Sequence, residues 1–396
     1  MNNIERGNVN MKITQLHELV NTVTKEVLGT TTVVQEDLSN IVDVGKEIVN
    51  TDNLDNYVKK LVNHIGKVVF KNRLYAGSAP SVLMDSWEFG SILEKVSADL
   101  PQATVNESWK LQNGVDYSPD IFYQPSVSAK FFNSKVTFEI PLSFTERQVK
   151  ESFSNVNQLN GFISMLTTAV ENAMTVKLDA LIMRTINNMT AETLKADLEE
   201  KGAINTTKTG VKAVNLLKLY NDKYGTRLTK DKALSDKEFI RYATYIIGLY
   251  SDRISKISTL FNIGGKERFT SMEYLHVVLL SDFEKASNIF LKADLNNENM
   301  ITLPKHETVP FWQGSGKNYS FEDVSSINVR TSNGTEINVS GILGVMFDRD
   351  ALGVSNLDRR VTTNYNPKGE FYTNFYKFDA GYFNDMNENF VVFFVG

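Results

Sequence analysis

The spacing of apolar residues near the N-terminus predicts a short amphipathic helix. Apolar side chains recur every three or four residues from Ile13 through Leu16 and Val20, and the stripe ends at Gly29. The sequence leaves open whether this stripe packs on its own subunit or against a partner. Residues 30–50 are rich in Thr, Asp and Asn, so we expect them to run extended over a neighbouring surface, without a core of their own.

A second helix is predicted directly after this stretch. Thr51 and Asp52 are suitable N-terminal caps, apolar residues continue at helical spacing from Leu54, and Gly66 is a suitable stop. Residues 67–75 are then predicted to form a strand.

A change to a period of two predicts a long β-ribbon. Its clearer strand includes the alternating residues Val136, Phe138 and Ile140, and an earlier strand alternates over residues 127–131. Residues 133–134 would form the turn that joins the two strands. Because an isolated ribbon is only marginally stable in water, its apolar face must be covered by another surface.

Residues 155–188 are predicted to form an unusually long helix, since apolar residues continue at helical spacing along one side throughout. At about 1.5 Å per residue this helix would be roughly 50 Å long. Three further helices are predicted at residues 211–220, 236–261 and 281–293, separated by Gly-rich turns. We expect these three to belong to a separate α+β lobe.

The C-terminal part of the chain is predicted to return to β-structure. Residues 342–347 and 390–395 are apolar runs on either side of an aromatic-dense segment. The run at 390–395 is apolar on both faces, which is typical of a central strand rather than an edge strand. We expect residues 342–347 to be among its neighbours.

Composition excludes several classes of protein. The 396 residues include no cysteine, which excludes disulfide scaffolds, thiolate metal sites and cysteine nucleophiles. The formal net charge of -5 is spread along the chain without a basic block, so direct binding of nucleic acid is not expected as the main role. No apolar run has the length of roughly 18 residues that a membrane span needs. We therefore expect a soluble, non-secreted protein without membrane contact.

Candidate chemistry is sparse. The four histidines lie far apart in sequence and none has paired metal-ligand spacing, so we predict no metal site, no cofactor and no catalytic residue. The strongest argument for an enzyme is the group of charges at residues 348–350 and 359–360, which could form a cleft. Salt bridges between strands or between subunits are the favoured interpretation of these charges.

The order of predicted elements resembles the HK97-type α+β fold of tailed-bacteriophage major capsid proteins. Local stretches are also similar to capsid proteins of phages of Gram-positive hosts: DNYV at 55–58, IGKVVF at 65–70, GILGVMFDRDALG at 341–353 and NPKGEF at 366–371. The resemblance implies an N-terminal arm at 1–50, the first part of a P-domain at 51–107, an E-loop at 108–142, a spine helix with further P-domain at 143–205, an A-domain at 206–341 and C-terminal P-domain strands at 342–396.

The resemblance implies a major capsid protein and not an enzyme. Such a protein assembles with itself as hexamers and pentamers into an icosahedral or prolate shell, with scaffold and portal proteins as partners. The shell would enclose double-stranded DNA without reading its sequence. The protein would belong to the virion capsid and would be in the host cytoplasm during assembly.

Subunit contacts are expected at the arm and the ribbon, because neither can bury its own apolar face. The predicted contact residues are Ile13, Leu16, Val20, Lys130, Lys135, Val136, Phe138 and Ile140. We expect removal of residues 1–28 to weaken assembly and leave the fold intact. Some family members crosslink E-loop lysines to asparagines, but no crosslinking motif matches Lys130 or Lys135 together with Asn364 or Asn366.

Two alternatives come from other classes of protein. An encapsulin-like bacterial compartment shell would have the same fold and would contain a cargo enzyme without DNA. A soluble α+β enzyme would be a discrete monomer or small oligomer with a pocket near residues 348–360. The long arm disfavours the first alternative, and the missing catalytic constellation disfavours the second.

Overall fold

A computed structural model gives the structure of the chain. It describes residues 13–29, 34–50, 53–72, 79–84, 93–98, 101, 103, 105–106, 108–117, 120, 122, 124, 126–292, 303–313, 320–331 and 334–396. Two compact units are present. The first unit comprises Met1–Pro80, Lys135–Leu181 and Asn356–Gly381, and the second comprises Ser81–Ser134, Ile182–Ser355 and Tyr382–Gly396.

Helices and strands are both abundant, as the predicted α+β class requires. The helices are α1 (Ile13–Leu28), α2 (Ile41–Asn50), α3 (Leu54–Asn72), α4 (Glu146–Ser152), α5 (Val156–Leu198), α6 (Leu216–Tyr224), α7 (Lys230–Ala233), α8 (Lys237–Ile254), α9 (Ser281–Lys292) and α10 (Phe321–Val324). The strands are β1 (Leu83–Met84), β2 (Leu93–Ala98), β3 (Val127–Phe132), β4 (Lys135–Thr145), β5 (Glu199–Glu200), β6 (Ala203–Ile204), β7 (Ala213–Asn215), β8 (Leu275–Leu280), β9 (Glu307–Val309), β10 (Ile327–Arg330), β11 (Glu336–Val339), β12 (Ile342–Asp348), β13 (Leu352–Asn366), β14 (Phe371–Asn384) and β15 (Phe390–Phe394).

The predicted first helix is confirmed as α1, but the prediction that residues 30–50 run extended after it is wrong in part. Residues 41–50 form α2, with Ile41, Val44 and Ile48 buried on one face. These three residues recur at intervals of three and four, so this largely polar stretch contains a helical stripe. Both α1 and α2 pack against α3 in the first unit.

The predicted strand at residues 67–75 is also wrong over its described part. Helix α3 continues through Gly66 and ends at Asn72. A glycine inside a helix costs only about 1 kcal/mol relative to alanine, so a helix can continue through Gly66 when the flanking residues favour it.

In the first unit, β4 is paired along its whole length with β14. The antiparallel register runs from Thr145 opposite Phe371 to Lys135 opposite Gly381. The aromatic-dense segment predicted near the C-terminus forms this partner strand, and its ring at Phe378 lies 5.1 Å from that of Phe138.

The pairing predicted for the β-ribbon is therefore wrong. The alternation at 127–131 and 136–142 does produce the strands β3 and β4, but β3 pairs antiparallel with β2 in the second unit, with Leu93 opposite Phe132 and Ala98 opposite Val127. A period of two identifies a strand and its two faces, and it carries no information on which other strand supplies the hydrogen bonds.

The long helix is confirmed and is longer than predicted. Helix α5 has 43 residues, which corresponds to about 65 Å at 1.5 Å per residue. Buried residues run along it from Leu159 to Leu198. The predicted end at residue 188 was too early, since Met189, Ala191 and Leu194 continue the buried stripe.

The second unit is built around a five-stranded sheet in the order β7-β15-β12-β8-β9. Strand β15 lies inside this sheet, antiparallel to β12 and parallel to β7, so the predicted central position of residues 390–395 is confirmed. Its neighbour β12 begins after Gly341, whose φ of +94° and close approach to the carbonyl of Val395 leave no room for a side chain. Helices α6, α8 and α9 cover the sheet with a continuous apolar core.

Candidate functional site

The pair β2–β3 has one polar face and one exposed apolar face. Alternation along both strands places one set of side chains on the solvent-exposed side of the pair. We call this side the outer face, and its residues are Glu94, Val96, Ala98, Val127, Ala129 and Phe131. The exposed fractions are 62% for Val96, 58% for Val127 and 64% for Phe131. Exposed apolar side chains that are clustered on one regular surface are typical of a surface that binds another protein.

The opposite face of β2–β3 carries a cluster of charges. Lys130 Nζ lies 2.8 Å from Asp385 Oδ1, and Lys95 Nζ lies 3.0 Å from Asp385 Oδ2. Glu388 Oε1 lies 2.8 Å from Lys95 Nζ and 3.2 Å from Arg268 Nε. The short segment before β15, which carries Asp385 and Glu388, thus forms ion pairs with both strands of the pair.

The carboxylate at the centre of this cluster stays ionised. Burial raises the pKa of Asp385, but the hydrogen bonds from Lys130 and from the backbone N–H of Asn387, together with the charge of Lys95, outweigh it and hold the pKa below the usual value. Burial alone would lower the pKa of Lys95. The hydrogen bonds and negative charges of Glu388 and Asp385 outweigh this effect, so the pKa of Lys95 is raised. Both partners are therefore charged at neutral pH.

Sequence reasoning found only part of this site. The alternation at residues 127–131 correctly identified β3 and its apolar face, and Lys130 was among the predicted contact residues. Strand β2 was missed because it is short and contains two charged residues in six. Asp385 and Glu388 were missed because nothing in their local sequence separates them from ordinary turn acids.

The predicted contact residues of β4 lie on a partly covered face. Val136, Phe138 and Ile140 are half-buried in the first unit, beside β14, whereas Lys135 is exposed. The structure therefore covers a good part of this face within one subunit. A contact between these residues and a neighbouring subunit stays a prediction.

Helix α1 packs within its own subunit. The side chains of Leu16 and Val20 are fully buried, and α1 lies along α3. Ile13 begins the helix, and its side chain lies outside the described residues. Of the two alternatives that the sequence left open, packing on the own subunit therefore applies to the described part of the stripe.

The charges that suggested an enzyme have local structural roles. The carboxylate of Asp348 accepts a hydrogen bond from the backbone N–H of Asp350 at 2.9 Å, within the turn that joins β12 to β13. Arg360 Nη1 lies 3.0 Å from Asp358 Oδ2 and 2.9 Å from Asp379 Oδ2, on the neighbouring strands β13 and β14. This is the salt bridge between strands that the sequence favoured, and the side chain of Arg359 lies outside the described residues.

Across the described ranges, no group of three or more His, Asp or Glu side chains is arranged to hold a metal ion. Within the same part of the chain, no helix has both the length and the apolar composition needed to cross a membrane.

Comparison with known proteins gives one match to a protein family. The family model described as Phi29-like phage major capsid protein matches residues 20–394. No curated protein matches the sequence.

Solved phage capsids are also similar to this chain. The capsid structure of Staphylococcus phage Andhra is 9% identical, with 82% of this chain and 86% of that chain covered and a TM-score of 0.49. The capsid structure of the cyanophage P-SCSP1u is 10% identical, with 82% of this chain and 91% of that chain covered and a TM-score of 0.48.

The family match extends over nearly the whole chain, including α3, the pair β2–β3, α5 and the C-terminal strands. It confirms the resemblance to a tailed-phage major capsid protein and, together with the observed helices and sheets, the predicted α+β capsid fold. It also favours this assignment over an encapsulin-like compartment shell and over a soluble enzyme. The chain belongs to the family of Phi29-like phage major capsid proteins.

Proposed function

We propose that copies of this major capsid protein associate as hexamers and pentamers, and that these close into an icosahedral or prolate shell around the phage DNA. The observation that carries the proposal is the exposed outer face of β2–β3, where Val96, Val127 and Phe131 are directed into solvent. Burying such side chains against a neighbour is favourable by about 25 cal/mol per Å² of apolar area. Closed symmetry repeats that gain at every subunit.

The principal contact surface in this proposal is the outer face of β2–β3 in the second unit. Phe131 is its main anchor, because it is the largest exposed side chain on the pair. Lys130 lies on the opposite face of the pair, where it is paired with Asp385, so it acts indirectly by holding the pair in place. In the first unit, Lys135, Val136, Phe138 and Ile140 form a second proposed contact, through the parts of their side chains that β14 leaves uncovered. Leu16 and Val20 act indirectly, by fixing α1 on its own subunit.

The remaining partners follow from the role of a shell. A net charge of -5 suits a container for DNA, because a basic inner wall would bind the packaged phosphates nonspecifically. Scaffold and portal proteins are the expected assembly partners, and assembly takes place in the host cytoplasm. We assign no catalytic activity, since the carboxylate of Asp348 is used in a turn and Arg360 in a salt bridge between strands.

The substitution Phe131→Asp should abolish shell formation and leave a folded subunit. The side chain is 64% exposed, so the change costs the subunit little, whereas a charge in the contact would have to be buried without a partner. Purified protein should melt within a few degrees of the wild type and form no closed particles in negative-stain microscopy. Phe138→Asp is a poorer test, because the ring of Phe138 contacts that of Phe378 and its loss would also destabilise the subunit.

A matched control is Ile289→Asp on α9, whose side chain is also 64% exposed. It introduces the same charge at an equally exposed apolar position and should leave assembly intact. Closed particles from Phe131→Asp would show that the outer face makes no essential contact between subunits.

Mature particles boiled in detergent should run as single chains near 44.6 kDa. No crosslinking motif accompanies Lys130 or Lys135, and the Lys130 ammonium group is paired with Asp385 at 2.8 Å. A charged, paired amine is a poor nucleophile toward an asparagine side chain. Ladders of covalent oligomers on the gel would contradict this expectation, and mass spectrometry of the bands would identify the lysine involved.

A further inference from the structure

Two lysines face each other across β2 and β3. Lys95 and Lys130 are directly opposite in the antiparallel register, on the face of the pair that is turned toward the charge cluster. Side chains directly opposite in such a pair lie with their Cβ atoms about 5 Å apart, and like charges in that position are destabilising. A two-stranded sheet has little stability of its own to offset this repulsion.

Asp385, which lies outside the pair β2–β3, neutralises the charges of both lysines. Its two carboxylate oxygens are divided between them, at 2.8 Å from Lys130 Nζ and 3.0 Å from Lys95 Nζ. The side chain of Asp385 is 2% exposed, so water screens these interactions little. Glu388 adds a second contact to Lys95 and makes none to Lys130 among its ion pairs in the described part of the chain.

The position of Asp385 depends on the folded C-terminal strand. Its backbone N–H donates to the carbonyl of Ala351 at 2.7 Å, and the N–H of Phe390, where β15 begins, donates to the carbonyl of Phe261 at 2.8 Å. Between them, the side chain of Asn389 is fully buried and donates to Thr270 Oγ1 at 3.1 Å. The carboxylate therefore reaches the two lysines only when the segment leading into β15 is in place.

We propose that Asp385 is a positioning residue that makes the pairing of β2 with β3 conditional on the folding of the C-terminal strand. Without its carboxylate the two lysines repel each other and the pair opens. Combined with the proposed function, on which this consequence rests, the coupling means that a subunit presents its outer face to neighbours only after its central sheet is complete.

Hydrogen exchange of the unassembled subunit tests the coupling directly. Asp385→Asn removes the charge and keeps an oxygen that can accept from the N–H of Asn387. Amides in residues 93–98 and 127–132 should exchange faster by about tenfold or more, while β12 and β15 keep the wild-type rate. Asp379→Asn is the matched control: it removes a carboxylate paired with Arg360 in the first unit and should leave exchange in β2 and β3 unchanged.

The decisive variant is the double substitution Asp385→Asn with Lys130→Gln. It removes the repulsion as well as the carboxylate, so protection of β2 and β3 should return to near the wild-type level. Unchanged exchange in Asp385→Asn, or no recovery in the double variant, would overturn the proposal. If Asp385→Asn fails to fold, folding of the double variant supports the proposal, and its failure to fold contradicts it.

The same measurement separates this proposal from the proposed function. Exchange is recorded on subunits that have not assembled, so it reports on the coupling whether or not the outer face is a contact surface. If the coupling is observed and the Phe131→Asp variant still forms closed particles, only the proposed contact surface is refuted.

Discussion

A chain that ends at Asn389 should not fold its second unit. It lacks β15, in which Phe390, Val391, Val392, Phe393 and Phe394 are all buried. Each large apolar side chain that is buried contributes about 1.5–3 kcal/mol, so the loss of the strand approaches or exceeds the roughly 5–15 kcal/mol by which a typical domain is stable. Removing a strand from inside the sheet also leaves the facing backbone groups of β7 and β12 without their partners.

Circular dichroism and thermal melting of the purified truncated chain would measure this effect. A chain that ends at Val395 is the control, because it keeps β15 whole and loses only Gly396, whose carbonyl accepts from Asn215 Nδ2 at 3.1 Å. That control should lose about 1 kcal/mol of stability, the usual contribution of one hydrogen bond. A single cooperative melt at the wild-type temperature from the chain ending at Asn389 would place β15 outside the core.

Removal of residues 1–28 should strongly destabilise the first unit. This reverses the expectation from the sequence that the fold would stay intact, because α1 is part of the core. Leu16, Leu19, Val20 and Val23 are at most 5% exposed, and together they contribute about 6 kcal/mol or more at about 1.5–3 kcal/mol each. The deletion would also expose the apolar side of α3, which would favour aggregation.

The size of this effect can be measured by urea denaturation of the deleted and full-length chains. Removal of residues 1–12 is the matched control, since it ends just before α1 begins at Ile13 and should leave the midpoint nearly unchanged. Equal midpoints for all three chains would mean that α1 adds no stability to the subunit, and that its role is in assembly alone.

As a major capsid protein, the chain is a structural component of the virion capsid and assembles into a shell. Two features of the second unit bear on that role. The five-stranded sheet that contains β15 forms the core of this unit, and the pair β2–β3 carries the exposed apolar face that we propose as a contact surface. The proposed link between the two through Asp385 would keep an incomplete subunit from presenting that surface.

Local patterns determined much of the secondary structure. The three-and-four spacing from Leu16 to Val23 sufficed for α1, and the continuous stripe after Leu159 sufficed for α5, because a helix repeats on a length of a few residues. The two-sided apolar run at 390–395 likewise indicated a central strand, since only such a strand is covered on both faces. Errors occurred where a single residue was given too much weight, as with Gly66 inside α3.

The sequence by itself determined the long periodic elements, the family and the apolar face of β3, and only the tertiary structure decided which elements are partners. Strand β3 pairs with β2 and strand β4 with β14, although β3 and β4 are neighbours in sequence. Lys130 and Asp385 are 255 positions apart, and their contact depends on how the whole sheet closes. Periodicity acts over a few residues, whereas pairing and charge neutralisation depend on the energy of the complete packed structure, which no local pattern contains.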